Sequence, residues 1–292
     1  MKILVFGGTL FLGRHVVEAA LARGHEVTLF NRGVTNPDLF PDVEKIKGDR
    51  GDDLSALRGR RWDAVVDPSG YSPTIVRSSV EFLADAVDHY SLVSSIDVYV
   101  DAGNEPIDEN WKIAALADEN AKRMSNDGSF IDEKGIWSRV STDDAGTSRK
   151  ALCEWIVQDV MSGRAMVYRP GVIVGPHDRT DRFTYWVRRV SQGGKVLVPG
   201  SPDRLQQIMD VRDLGEWNVH MAESRQIGVY NTEGPDYPLT MGQILDECKR
   251  VTDSDAELVW VDGEFLEEHG EESYDRMPPW LKEPLGLRQM NC

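Results

Sequence analysis

The residues Gly7-Gly-Thr-Leu-Phe-Leu-Gly13 carry the clearest chemistry in the sequence. They lie between an apolar run, Lys2 to Phe6, and a stretch from Phe11 to Ala22 whose apolar residues recur at helical spacing. A turn that opens a helix presents unpaired amide N–H groups and the positive end of the helix dipole, and both favour an anion. Glycine lets a phosphate approach the backbone, and Gly13 lets helix and strand pack closely. The dinucleotide fingerprint asks for glycine at position 10, where this chain has Leu10. A plain tight turn between strand and helix fits the same letters. The next apolar run, Glu26 to Phe30, leads into Asn31-Arg32. A carboxylate there would hold the ribose hydroxyls of NAD and repel a 2′-phosphate. A neutral Asn31 and a cationic Arg32 instead suit NADP(H), with NAD(H) as the alternative. A solvated loop arginine explains the same letter. Further on, Arg179, Arg182, Arg188 and Arg189 cluster around Tyr185 and Trp186. Arginines with aromatics can clamp a diphosphate and a base, and an amphipathic helix with a charged outer face predicts the same residues.

The elements that must position these residues alternate along the chain. Lys2–Phe6 and Glu26–Phe30 read as strands around the helix Phe11–Ala22, which Gly24 stops. Asp63–Asp67 and Ser91–Ser95 read as strands, Thr74–Val87 as a helix, Ala151–Met161 as a helix and Met166–Arg169 as a strand. Repeated strand–helix units with short links predict an α/β fold: a Rossmann-type, doubly wound parallel sheet with helices on both faces. We expect a dinucleotide-binding domain over 1–170 and a smaller mixed α/β substrate lobe over 171–292, interleaved with it. Within the first lies a polar, acidic insert, 101–144, with helical periodicity only around Trp111 to Met124. A segment of that kind is a functional lid or a surface excursion. In the lobe we expect a helix over Phe183–Val190, a strand over Val196–Val198 and a helix over Met241–Val251. Beyond Asp262 the chain is acidic, with a rigid Pro278-Pro279-Trp280 and no closing strand visible. No internal repeats occur.

Composition narrows the function. The 292 residues hold 33 Lys+Arg against 49 Asp+Glu, a net charge of −16. Such a surface repels phosphate backbones and anionic lipid, so neither nucleic acid nor a membrane is an expected partner. Cys153, Cys248 and Cys292 have no metal-like spacing, so no metal site is expected. Sparse, odd cysteines and the lack of a signal-like apolar run point to a reducing, cytoplasmic setting.

Taken in order, the motifs Gly7–Gly13, Asn31-Arg32-Gly33, Gly48-Asp49-Arg50, Ser94-Ser-Ile-Asp-Val-Tyr99, Lys150 with Glu154, Arg169-Pro-Gly-Val-Ile-Val-Gly-Pro176 and Asp210-Val-Arg-Asp-Leu214 resemble the extended short-chain dehydrogenase/reductase superfamily. The similarity is to its NAD-dependent epimerase/dehydratase-like group and covers residues 1 to 260. Its chloroplast stem-loop RNA-binding branch looks similar at the N-terminus, where it too lacks the middle glycine. The resemblance implies a cofactor site at Gly7, Thr9, Leu10, Phe11, Leu12, Gly13, Asn31, Arg32, Asp49, Arg50 and Lys150, with Asp49 toward adenine. A turn-capping role explains Asp49 equally. It implies Ser95 and Lys150 as catalytic residues: serine binds the reacting oxygen, and lysine holds the nicotinamide ribose and tunes a tyrosine. That tyrosine should stand four residues before Lys150, and Gly146 stands there instead. Tyr71, Asp97, Asp143, Asp144, His177 or Tyr185 could fill the role, or the step needs no strong protein acid. Isoflavone-reductase-like members also lack the tyrosine and keep the lysine. Members usually run further at the C-terminus, so a shortened substrate lobe is expected. The implied function is an NAD(P)-dependent oxidoreductase or epimerase/dehydratase-like enzyme acting on a small polar molecule such as a nucleotide sugar or natural-product intermediate, and a homodimer is among the expectations. The other reading is a catalytically silent nucleotide-binding or RNA-associated protein on the same fold.

Overall fold

Strands that are buried on both faces read as continuous apolar runs, and Ile3, Leu4 and Val5 are completely buried, as are Ala64, Val65 and Val66. The computed structural model describes residues 1–100, 107–113, 129–131, 137–139, 142–262 and 265, giving for 129–131, 137–139 and 142–148 the backbone alone. In chain order come β1 (Lys2–Phe6), α1 (Phe11–Ala22), β2 (Glu26–Asn31), β3 (Glu44–Lys47), β4 (Trp62–Asp67), α2 (Pro73–Leu83) and β5 (Val87–Val93). An antiparallel pair, β6 (Ser129–Ile131) and β7 (Trp137–Arg139), precedes α3 (Thr142–Val160) and β8 (Ala165–Pro170). Then follow β9 (Val172–Val174), α4 (Thr184–Ser191), β10 (Lys195–Pro199), β11 (Leu205–Gln206) and β12 (Ile208–Asp210). The chain ends its described course with α5 (Val211–Glu223), β13 (Gly228–Thr232), β14 (Leu239–Thr240), α6 (Met241–Thr252) and β15 (Glu257–Val261).

The packing forms two compact units. The first holds the described residues within Met1–Asp101, Asp108–Gly171 and Val211–Thr232, the second those within Ala102–Ile107, Val172–Asp210 and Glu233–Cys292. Seven parallel strands in the order β13-β8-β5-β4-β1-β2-β3 make the sheet of the first unit. This is the Rossmann-type arrangement. Val76, Val80 and Leu83 of α2 and Leu152, Ile156 and Val157 of α3 pack with Phe6, Phe30 and Leu57 in one core. On α1, Val16, Val17 and Ala20 are buried, and this helix packs on α5. A Cβ on Gly215 would stand 2.9 Å from the His15 carbonyl carbon, so glycine sets how closely the two helices cross. The stretch Val211–Thr232, expected in the C-terminal lobe, packs in the first unit because β13 completes the sheet beside β8.

In the second unit Trp186 and Val190 of α4 pack with Met241, Ile244, Leu245 and Cys248 of α6, and with Val196 and Val198 of β10. Strand β15 runs parallel to β10, an element before Asp262 that is not among the strands expected from the sequence. Its apolar run Leu258-Val-Trp-Val261 is the local signal that could have found it. Two other elements differ from expectation. Helix α2 stops at Leu83, and Val87 already begins β5 rather than ending the helix. Asp88 and His89 interrupt the apolar run that signals a strand, yet His89 is buried with Nε2 2.7 Å from the Gln226 carbonyl oxygen. Helix α3 begins at Thr142, nine residues before the apolar pattern that reveals it. Of the expected helical stretch from Trp111, Ile113 forms an antiparallel bridge with Tyr99 instead. Its continuation over 114–124 lies outside the described residues, as do much of the 101–144 insert, Pro278-Pro279-Trp280 and Cys292. Among the described residues, no helix is long and apolar enough to cross a membrane.

Candidate active site

In this strand order the chain leaves β1 toward β2 on one side and reaches β4 on the other. The loops after β1 and β4 therefore part at the carboxyl edge of the sheet, where an open α/β sheet forms its ligand crevice. The loop after β1 is the glycine turn. Gly7 and Gly8 have φ +84° and +80°, conformations that glycine adopts without strain. A Cβ on Gly7 would meet nothing within 4 Å, so backbone there faces open space. One on Gly13 would lie 3.1 Å from the Gly8 amide nitrogen, which puts the start of α1 directly on the turn. Leu10 precedes the helix with an extended backbone and a half-exposed side chain, and no acidic residue occupies the first turn. The amides of Phe11, Leu12 and Gly13 head the helix, where intrahelical acceptors are lacking. Thr9 Oγ1 donates to the Thr35 carbonyl at 2.8 Å, and Asn36 Nδ2 donates to the Thr9 carbonyl at 2.9 Å. These bonds tie the turn to the loop after β2. The cradle fits a dinucleotide pyrophosphate.

At the end of β2, Asn31 Nδ2 donates to the Gly7 carbonyl at 2.7 Å and its Oδ1 accepts from the Gly33 amide at 2.9 Å. Its amide is thus used to shape the turn. Arg32 is exposed and has no ion pair among the described residues. Lys47, which sequence reasoning missed, stands in register with Asn31 on β3, also exposed and unpaired. Only the strand pairing brings these two cations to one edge. Asp49 closes its own turn: Oδ1 accepts from the Gly51 amide at 2.9 Å and its carbonyl accepts from Asp52 and Asp53. Arg50, expected at the cofactor, turns inward instead. Its guanidinium grips both oxygens of Asp67 at 2.6 Å and lies 4.4 Å from the centre of the Phe6 ring. Burial alone would raise the Asp67 carboxyl, but the charge of Arg50 and the hydrogen bonds outweigh it and hold the pKa below its ordinary value. Tyr90 Oη adds a hydrogen bond to Asp67 at 2.9 Å.

Lys150, on α3, reaches the carboxyl end of β5. Its Nζ donates to the Val93 carbonyl at 3.0 Å and lies 4.0 Å from the centre of the Tyr71 ring, in the loop after β4. Burial lowers its pKa, opposed by Cys153, Asp67, Glu154 and Asp97. Glu154, one turn on, pairs with Arg169 at 2.6 Å rather than with Lys150. Ser95 follows β5: Oγ accepts from the Asp97 amide at 3.2 Å and donates to Asp97 Oδ2 at 3.0 Å. The tertiary structure thus gathers Lys150, Tyr71, Ser95 and Asp97 around the ends of two adjacent strands. Gly146 lies within α3, one turn before Lys150. The side chains of Asp143 and Asp144 lie outside the described residues. His177 and Tyr185 belong to the second unit. There Arg182 Nε donates to Thr180 Oγ1 at 2.9 Å, and Arg189 donates to the carbonyls of Gly193 and Lys195. Arg189 is therefore a turn clamp, which favours the amphipathic-helix reading of that cluster. Burial pushes the Cys153 thiol up to about 12.

No family model matches the chain. It is 25% identical over 268 residues to the chloroplast stem-loop binding protein of 41 kDa b from Arabidopsis thaliana, covering 85% of this chain and 62% of that protein. The chain thus spans about three fifths of that relative's length. A bifunctional pinoresinol-lariciresinol reductase from Forsythia intermedia is 41% identical over 46 residues, 16% of this chain and 14% of the reductase. Among solved structures, UDP-glucuronic acid 4-epimerase from Bacillus cereus in complex with NAD superposes with a TM-score of 0.65 at 16% identity, over 90% of this chain and 87% of the enzyme. UDP-N-acetylglucosamine 4-epimerase from the same organism gives 0.64 at 15% identity, over 99% and 97%. At these identities the structural likeness establishes the Rossmann-type fold. The similarities in sequence and fold agree with the resemblance to the extended short-chain dehydrogenase/reductase superfamily.

Proposed function

We propose that the chain is a dinucleotide-dependent oxidoreductase or epimerase/dehydratase-like enzyme acting on a small polar substrate, a nucleotide sugar or a natural-product intermediate. One observation carries the reading: Lys150, bonded to the Val93 carbonyl and facing Tyr71, stands at the carboxyl edge of the sheet that also bears the glycine cradle. When bound, the dinucleotide supplies or accepts a hydride. The turn Gly7–Gly13 with the amides of Phe11 and Leu12 would hold its pyrophosphate, and Lys150 its nicotinamide ribose. Ser95, already a donor to Asp97, can turn its hydroxyl to a reacting oxygen, while the Lys150 ammonium opposes negative charge that develops nearby. NADP(H) is preferred in this reading, because Arg32 and Lys47 are cations with no ion pair among the described residues and no carboxylate ends β2. A charge-assisted hydrogen bond is worth ~1.5–3 kcal/mol, or about one to two decades in affinity. Titrating NADPH and NADH by fluorescence should show NADPH binding more tightly. That advantage should shrink in Arg32→Ala and shrink further when Lys47→Ala is added. Equal affinities that both variants leave equal would remove the preference.

The stem-loop binding relative supports the second reading, an RNA-associated protein. The net charge of −16 argues against it, since phosphate contacts dominate RNA affinity. Binding of an RNA hairpin that survives in moderate salt, without measurable dinucleotide binding, would reverse the order of the two.

A further inference from the structure

We infer that Tyr71 is the proton-transferring phenol of this site, entering from the loop after β4 where Gly146 leaves α3 without one. The inference rests on the proposed dinucleotide chemistry and goes beyond it by naming the acid. Among the described tyrosines, Tyr90, Tyr99 and Tyr168 are completely buried, and Tyr90 and Tyr99 donate to Asp67 and Asn231. Tyr71 is 65% exposed, so its hydroxyl meets solvent or a ligand. Its ring nonetheless has a fixed neighbour in Lys150 Nζ at 4.0 Å. The loop that carries it is anchored. Asp67, gripped by Arg50, accepts from the Ser69 amide at 3.0 Å, and the Tyr71 amide donates to the Ser69 carbonyl at 2.9 Å. Gly70 sits so close to Leu92 that a Cβ would lie 2.5 Å from its Cδ1, which holds the loop against β5. The buried Arg50–Asp67 pair, which no ligand contact requires, thereby fixes the approach of the phenol.

In the reductive direction hydride from the reduced dinucleotide adds to the substrate carbonyl carbon, and Tyr71 Oη gives its proton to the carbonyl oxygen. The products are an alcohol, the oxidised dinucleotide and a phenolate that faces the Lys150 ammonium. Solvent then returns the proton. In the reverse direction the phenolate takes the hydroxyl proton as hydride leaves the carbon.

Tyr71 can be followed without catalysis through its nitration by tetranitromethane, read by mass spectrometry. NADP+ should slow nitration of Tyr71 several-fold, whereas adenosine 2′,5′-bisphosphate, which fills only the adenosine end, should not. In parallel, Tyr71→Phe should bind NADPH with unchanged affinity and lose about 100-fold or more of NADPH oxidation with 4-nitrobenzaldehyde, as one placed acid contributes ~10²–10⁴-fold. Dinucleotide binding that leaves Tyr71 unprotected, equal protection by the bisphosphate, or wild-type turnover by Tyr71→Phe would overturn the assignment. If the wild type does not turn over the aldehyde, nitration decides alone. Failure of the wild type to bind either dinucleotide is a different result: it overturns the proposed function itself.

Discussion

Lys150 and Ser95 do different work in the structure, and their variants should separate accordingly. Lys150 bonds the end of β5 and faces the crevice, so Lys150→Met should weaken dinucleotide binding and lower turnover together. Ser95 lies beyond the strand and, among the described residues, its hydroxyl bonds to Asp97, so Ser95→Ala should lower kcat while leaving dinucleotide affinity near wild type. Titration and steady-state rates on the two variants measure the split; equal losses of affinity would contradict it. Ser95, Lys150 and the glycine four residues before the lysine could be read from the sequence as positions. The neighbourhood of Tyr71 and Lys150 could not. They are 79 positions apart in the sequence, and only the pairing of β4 with β5 and the placement of α3 bring them together. Arg50 shows the opposite failure. Its motif suggested a ligand contact, but a buried carboxylate on β4 is a stronger partner than solvent and takes the guanidinium inward.

At the level of elements, backbone approach and end-capping make the sharpest predictions. A side chain on Gly215 would press on the backbone of His15, which cannot swing aside as a flexible side chain does. Gly215→Ala should therefore destabilise the first unit by ~1–3 kcal/mol, the usual cost of overpacking. A thermal or urea unfolding curve tests this, and an unchanged midpoint would show that α1 and α5 slide apart freely. In the second unit α6 begins with a capping box. Thr240 Oγ1 accepts from the Gln243 amide, and Gln243 Oε1 accepts from the Thr240 amide. Thr240→Ala should cost ~1 kcal/mol, with Thr240→Ser restoring most of it. The box is written in the sequence by spacing. The crossing at Gly215 is not, because nothing local says which helix lies opposite.

For the whole molecule, charge and pH supply the tests. Glu223 ends α5 with hydrogen bonds to Arg23 and to His25, the latter at 2.8 Å, and these hold its carboxyl down at about 2. Its folded pKa lies below its unfolded value, so its contribution is fully present above the unfolded pKa. It is lost as pH falls through the folded one. Wild type should thus be more stable than Glu223→Gln near neutrality, and the gap in Tm should close as pH falls from about 5 toward 2. A gap that stays constant over that window would show that the bonds do not depend on ionisation. The sequence by itself determined the parallel α/β fold, the glycine turn and the cation after β2, because strand burial, helical period and turn chemistry are local. Only the tertiary structure decided that Val211–Thr232 supplies the last strand of the sheet, that Lys47 stands beside Asn31, that Arg50 serves Asp67, and that Tyr71 meets Lys150. Those facts depend on which strands become neighbours, and strand order follows from how the apolar faces of all the elements are buried together.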